Sequence, residues 1–173
     1  MLSAIVAIDN NNGIGKDNDL LYSHKLDMKR FVEKTKGKTV IMGYKTWLSL
    51  KKPFLPGRRN VVLFDAEGPD DIPDIFYNAL IQVDDIEKLT WATPLHFIEN
   101  IRAYRDSEEE FIIMGGANIY DRFYPYLDKL YLTIFDRSEE ADKFFPKINW
   151  NRWDIYFSDY PEEDVLFLDM TRK

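Results

Sequence analysis

Several residue types are scarce or absent in this sequence of 173 residues, which has no cysteine and only two histidines. Without cysteine the chain has no disulfide, no thiolate metal ligand and no cysteine nucleophile. His24 and His96 lie far apart, so a histidine-rich metal centre is not expected. No apolar run approaches the length of a membrane span, and "MLSAIVAI" is too short, and lacks the cationic flank, for a signal peptide. We therefore expect a soluble, cytoplasmic protein without a metal site.

Positive charge is scarce as well. Lys and Arg number 23 against 30 Asp and Glu, which gives a net charge of −7. A surface that binds nucleic acid needs basic residues to neutralise phosphates, so nucleic acid is not an expected partner. The composition is 45% hydrophobic and 15% aromatic, which is typical of a compact globular protein. At this length we expect a single domain, 1–173.

Apolar runs alternate with helix-like segments along the chain. We predict buried strands at 2–8, 38–43, 60–64, 111–114 and 129–135, helices at 23–35, 44–50, 93–105 and 116–127, and an antiparallel pair at 153–159 and 165–170. This order predicts an α/β fold with a mostly parallel central sheet, an antiparallel C-terminal edge and helices on both faces. Residues 9–22 form a loop rich in Asn, Asp and Gly, which is predicted to be functional.

Two details of these elements are also predicted. Ser23 is expected to cap the first helix, Met28, Phe31 and Val32 to form its apolar face, and Gly37 to follow its end. Residues 65–90 are harder to assign, although 75–83 has strand character.

The same strand–glycine–helix joint occurs twice, in "VIMG" (40–43) and "IIMGG" (112–116). In open α/β sheets ligands bind where strands end, and the N-terminus of a helix suits phosphate. Two facing joints would hold the two phosphates of a dinucleotide, through Thr46 and the N–H groups of 44–46 at one and residues 116–119 at the other. For either joint alone, a simple tight turn is the favoured interpretation, and only the two joints together favour a nucleotide. "GIGKDN" (13–18) is not the G-x-G-x-x-G fingerprint, so a standard Rossmann domain is not indicated.

Seven motifs together resemble the dihydrofolate reductase family, in this order: "AIVAIDNNNGIG", "LDMKRFVEKT", "KTVIMGYKTWLSL", "LPGRRNVV", "IIMGGANIY", "LDKLYLTIFD" and "ADKFFP". They cover nearly the whole chain apart from about 66–92, a connecting region longer than in compact bacterial members. The resemblance implies an eight-stranded sheet and a cis peptide bond between Gly115 and Gly116. It also implies the reduction of 7,8-dihydrofolate to tetrahydrofolate with NADPH.

The resemblance assigns roles to individual residues. It implies that Asp27 orients the pterin and promotes protonation of its N5 atom, while Thr133 hydrogen-bonds both the acid and the pterin. Arg58 is expected to bind the α-carboxylate of the folate glutamate, with Arg59 as its rival. The other expected substrate contacts are Ile5, Ala7, Phe31, Leu50 and Met114. The expected cofactor contacts are Ala7, Ile14, Gly15, Leu20, Gly43, Tyr44, Lys45, Thr46, Leu63, Phe64, Asp65, Met114, Gly115, Gly116, Ala117, Asn118, Ile119 and Tyr120.

The chain departs from the family pattern at two places. Leu21 and Tyr22 replace the family's usual Pro-Trp after the loop that closes over the nicotinamide, and Tyr22 is included among the expected catalytic residues. Around the ribose 2′-phosphate of NADPH, the family's positive charges are absent at Tyr44 and Asn118, and Asp65 is an acid. Our hypothesis is that NADPH preference is weakened and NADH use is possible. The alternative is that Asp65 faces solvent and Lys45 suffices.

Three functions are therefore compared. The leading one is an active, monomeric reductase. The second is a non-catalytic protein that retains the fold and binds nucleotide or a partner, with 66–92 as an interaction surface. The third is a relative that acts on another pterin or on a flavin-precursor pyrimidine, against which Asp27 and Arg58 together favour folate.

Overall fold

A computed structural model describes residues 1–65, 73–81 and 89–173. The strands are β1 (Leu2–Asp9), β2 (Gly13–Lys16), β3 (Asp19–Leu20), β4 (Thr39–Gly43), β5 (Arg59–Leu63), β6 (Leu89–Ala92), β7 (Phe111–Ile113), β8 (Lys129–Phe135), β9 (Lys143–Phe144), β10 (Trp153–Glu162) and β11 (Val165–Arg172). The helices are α1 (Lys25–Thr35), α2 (Tyr44–Leu48), α3 (Asp74–Ile81), α4 (Pro94–Glu99), α5 (Ile101–Asp106) and α6 (Ala117–Phe123).

Eight strands form the main sheet, in the order β10-β11-β8-β1-β7-β4-β5-β6. The six strands from β8 to β6 are parallel, and β11 pairs antiparallel with both β8 and β10. The predicted parallel sheet with an antiparallel C-terminal edge is thus confirmed. β8, β1, β7 and β4 are neighbours in this order and run parallel, so their carboxyl ends meet at one edge of the sheet.

Helices cover both faces of the sheet, as predicted. Along β4, Val40 and Met42 pack with Trp47 of α2 and Phe76 of α3, whereas Ile41 packs in the other large cluster with residues of α4 and α6. Successive side chains of a strand point to opposite faces, so strands covered on both sides are continuous apolar runs. This explains why β1 and β4 were recognisable from composition alone.

The first helix differs from its prediction in two ways. It begins at Lys25, and His24 occupies the N-cap position without any side-chain capping bond, so Ser23 is not the cap. Met28 and Val32 are 44% and 45% exposed, so the predicted apolar face is wrong in both. Phe31 packs against the core as predicted, but the side of α1 that faces the sheet also carries polar residues, including the buried Arg30.

Three other segments also differ. The predicted helix 93–105 is broken at Asn100, whose side-chain amide donates to the carbonyl of His96 at 2.8 Å. Residues 74–81 are helical, so the strand character of 75–83 was misleading; 82 and 83 lie outside the described residues. The loop 9–22 contains β2 and β3, which form a small sheet with β9. The helix predicted at 116–127 ends at Phe123 and continues as a short 3-10 helix.

Two features are absent from residues 1–65, 73–81 and 89–173. No helix there is long and apolar enough to cross a membrane. No group of three or more His, Asp or Glu side chains is placed to hold a metal ion.

Candidate active site

The two glycine joints lie against each other at the carboxyl edge of the sheet. The Gly43 N–H donates to the Gly115 carbonyl at 2.8 Å. A Cβ atom added to Gly43 would lie 2.9 Å from Cγ1 of Ile119, and one added to Gly116 would lie 3.1 Å from Oγ1 of Thr46. Close approach of the two joints therefore leaves no room for a side chain at Gly43 and only a tight space at Gly116. The peptide bond between Gly115 and Gly116 is cis, as the resemblance implied.

The helix that follows each joint begins without a side-chain cap. Gly43 precedes α2 and Gly116 precedes α6, and neither N-cap residue has a side chain that could accept a bond from the first turn. Backbone N–H groups of such a turn suit an anion. The backbone N–H donors of these two first turns therefore fit the pyrophosphate of a dinucleotide.

The predicted acid, Asp27, is hydrogen-bonded to Thr133 of β8. Burial raises the pKa of the Asp27 carboxyl, and this effect is opposed by a hydrogen bond with the Thr133 side chain and by the charges of Arg30 and His24. Thr133 is buried and is paired in register with Ala7 of β1. The predicted acid and threonine are thus brought together, with Ala7 next to them.

The apolar residues predicted to contact substrate surround the same place. Ile5, Phe31 and Met114 pack in one cluster, and Met114 also packs in the cluster that contains Leu50. The buried Tyr120 hydroxyl donates to the Ile5 carbonyl at 2.7 Å, and burial raises the pKa of that hydroxyl. Met114 therefore links the substrate side to the joint side of the site.

The two neighbouring arginines point to different places. Arg58 is 8% exposed, and its Nε donates to the Thr35 hydroxyl at 2.8 Å while its guanidinium lies 5.5 Å from the centre of the Phe31 ring. Arg59 is exposed and pairs with Glu109 at 3.4 Å. Only Arg58 is therefore held beside a predicted substrate residue.

Tyr22 is turned toward another acid. Its hydroxyl donates to Oδ2 of Asp9 at 3.4 Å, and its ring centre lies 4.6 Å from that of Phe135. The Asp9 carboxylate also accepts from the N–H groups of Gly13, at 2.7 Å, and Glu139, at 3.1 Å. Asp9 was not among the predicted site residues, although it begins the functional loop. In this structure Tyr22 anchors that loop, and its catalytic role stays a prediction.

The other predicted loop residues belong to the small sheet. Gly15 pairs with Leu20, and the Gly15 carbonyl accepts from the N–H of Asp142 at 3.0 Å. Ile14 packs against the main core, whereas Leu20 is exposed.

The predicted adenosine side is lined by aromatic rings. The Phe64 ring centre lies 5.5 Å from that of Tyr44 and 5.4 Å from that of Trp91, which the sequence did not single out. Asp65, Lys45 and Asn118 are all exposed here, after β5, in α2 and in α6 respectively. Leu63 is buried below them, and Ala117 is partly buried at the start of α6.

One acid at the edge of the sheet where the two glycine joints lie is sufficient for a reaction that moves one hydride and one proton. The fold and the site thus define a class, the reductases that use a nicotinamide dinucleotide and act on a small molecule.

The similarity to known proteins identifies the family within this class. The family model for dihydrofolate reductase matches residues 1–167. The dihydrofolate reductase of Haemophilus influenzae is 35% identical over 181 residues, covering 99% of this chain and 98% of the relative. That of Bacillus subtilis is 32% identical over 164 residues, covering 95% and 86%. A solved dihydrofolate reductase from Enterococcus faecalis, complexed with NADP(H) and RAB-propyl, superposes with a TM-score of 0.74 at 28% identity, covering 100% of this chain and 96% of that chain.

The chain belongs to the dihydrofolate reductase family. It is an oxidoreductase of folate metabolism that reduces 7,8-dihydrofolate to tetrahydrofolate, with NADPH as its cofactor. None of these findings favours the alternative of a non-catalytic binding protein.

Proposed function

We propose that Asp27 is the residue that makes this site a folate site. Its carboxylate accepts hydrogen bonds from the amino group and a ring N–H of the pterin, and its negative charge favours protonation of N5. Thr133 fixes the position of the carboxyl group and contacts the pterin as well. When bound, NADPH supplies the hydride. The observation that carries the proposal is the partly buried Asp27 carboxyl next to Thr133, at the edge where both glycine joints lie.

The remaining residues bind and orient the two ligands. We assign the pyrophosphate to the uncapped first turns after Gly43 and Gly116, with Thr46 between the two joints. Arg58 binds the α-carboxylate of the glutamate tail, because Thr35 and its neighbours hold the guanidinium beside the Phe31 ring. A planar guanidinium binds a carboxylate through two parallel hydrogen bonds.

The test is dihydrofolate-dependent oxidation of NADPH by the wild type and by Asp27→Asn. We expect kcat/KM to fall by about 10²-fold or more, which is the usual contribution of a positioned acid or base. The affinity for NADPH alone should stay unchanged. Glu33→Gln is the matched control, because Glu33 is an exposed carboxylate of the same helix, and its one ion pair among the described residues is with Lys29, at 3.8 Å. Equal loss in both variants, or none in Asp27→Asn, would contradict the assignment.

We also propose that the chain works as a single-domain monomer in the cytoplasm, without nucleic acid or a membrane as a partner. The net charge of −7 supports the absence of nucleic acid. Light scattering should give a mass near 20.5 kDa, and a doubled mass would refute the monomer.

A further inference from the structure

Three charged residues of α1 face the sheet at the spacing i, i+3 and i+7. They are Asp27, Arg30 and Lys34, and this spacing places them on one side of a helix. Arg30 is only 5% exposed. Charged side chains are almost never fully buried unless they are paired, so this face of the helix needs partners from the sheet.

The partners are Asp169 and Phe167, which both belong to β11, the strand next to β8. Asp169, which is 3% exposed, accepts from Nη2 of Arg30 at 2.6 Å and from Nζ of Lys34 at 2.5 Å. The Arg30 guanidinium also lies 4.8 Å from the centre of the Phe167 ring. Phe167 is paired in register with Thr133, the threonine that holds the Asp27 carboxyl. Arg30 thus lies on the same face of the sheet as the acid, one helical turn away.

The charges of this group are balanced only when Asp27 is ionised. Arg30 and Lys34 carry two positive charges, and Asp169 and Asp27 carry two negative ones. Buried charges are tolerated when they are compensated, so protonation of Asp27 leaves an excess positive charge in a poorly solvated place. One guanidinium nitrogen, Nη1 of Arg30, is buried without a hydrogen-bond partner within the part of the chain that the structure describes. Its charge is therefore only partly neutralised by Asp169.

Other titratable groups face the same two residues. His24, the N-cap residue before α1, and the buried Tyr120 of α6 act on Asp27. Tyr131 of β8 and Tyr156 of β10 act on Arg30. None of these supplies a second permanent positive charge to Asp27, so Arg30 is the main cation near it.

We propose that Arg30 is a positioning residue for the reaction, in which the buried Arg30–Asp169 pair sets the electrostatic field at Asp27 and favours its ionised carboxyl against the effect of burial. The proposal rests on the catalytic role of Asp27 stated above. The two members of the pair act in opposite directions: Arg30 stabilises the carboxylate, whereas Asp169 weakens the effect of Arg30. A purely structural ion pair would have no such signed effect on the reaction.

The test is the pH dependence of hydride transfer in single turnovers with bound NADPH. Arg30→Met should move the midpoint of the pH profile upward by about one unit, from Coulomb's law at close range in a partly buried site. Asp169→Asn should move it downward by a smaller amount. Arg30→Lys keeps the charge and should stay near the wild type. Titration of the Asp27 carboxyl by ¹³C NMR should give shifts of the same sign.

The double variant Arg30→Met/Asp169→Asn guards against loss of folding. Removing both members of a buried pair is often neutral for stability, so this protein should fold, and its midpoint should return toward the wild type. Suppose that Asp27→Asn removes the pH dependence, which confirms the role of Asp27. If the single and double variants then all keep the wild-type midpoint, the proposal is overturned. If Asp27→Asn keeps the wild-type profile, the catalytic role of Asp27 fails first, and the proposal fails with it.

Discussion

Gly43→Ala should damage the site through the packing of the two joints. The new Cβ would lie 2.9 Å from Cγ1 of Ile119, well inside the optimal carbon–carbon distance of ~3.5–4.0 Å. Ile119 is buried, so its side chain cannot move into solvent. Overpacking of this kind costs about 1–3 kcal/mol, and we expect that loss in the free energy of unfolding. The joints must also separate, which weakens the bond between the Gly43 N–H and the Gly115 carbonyl.

The assays are urea unfolding and a fluorescence titration with NADPH. Each ~1.4 kcal/mol of binding free energy that the strain removes from the NADPH complex raises the Kd for NADPH tenfold. Gly37→Ala is the control: Gly37 has φ +77° and no atom within 4 Å of an added Cβ, so stability should fall while the Kd stays constant. Ile119→Ala should relieve the clash. It should therefore lower the free energy of unfolding by less when it is added to Gly43→Ala than when it is made in the wild type. A variant Gly43→Ala that unfolds and binds NADPH as the wild type does would refute this explanation.

Three further predictions concern the ligands and pH. Asp65→Ser should raise the ratio of kcat/KM for NADPH to that for NADH, because it removes an exposed carboxylate from the predicted 2′-phosphate side; an unchanged ratio would show that Asp65 faces solvent only. Arg58→Met should raise the KM for dihydrofolate by about 10-fold or more, since a lost charged bond costs ~1.5–3 kcal/mol, and Arg59→Met should leave it unchanged; the reverse result would exchange their roles. Burial raises the folded-state pKa of Asp27, so the free energy of unfolding of the wild type should fall relative to that of Asp27→Asn as pH rises from about 4. Urea unfolding at several pH values measures this, and a difference in unfolding free energy that stays constant with pH would contradict it.

The parallel strands and the joints could be predicted because their signals are local. β1, β4 and β8 are buried on both faces, which makes each a continuous apolar run in the sequence. The strand–glycine–helix joints are contiguous as well. What the sequence alone left open was whether a ligand or a tight turn requires the glycines, and the structure adds a third reason, the contact of one joint with the other.

The errors arose where a distant partner decides the local structure. The buried face of α1 was predicted from Met28 and Val32, yet Arg30 is the residue that is buried. Its burial is possible because Asp169 neutralises its charge, and Asp169 lies 139 residues further along the chain. No periodicity of apolar residues contains that information. The run 75–83 failed for another reason: a short apolar segment has no period long enough to separate strand from helix, and packing of Phe76 and Ala79 favours α3.

The position of β7 in the sheet has a consequence for the order in which the protein forms during synthesis. β1 leaves the ribosome before both of its neighbours in the sheet, β7 and β8, and the hydroxyl of Tyr120 reaches the Ile5 carbonyl across 115 residues of sequence. Until those late segments emerge, β1 and β4 have an empty slot between them. The nascent chain therefore exposes unpaired strand edges until β7 emerges, and exposed strand edges of this kind favour aggregation.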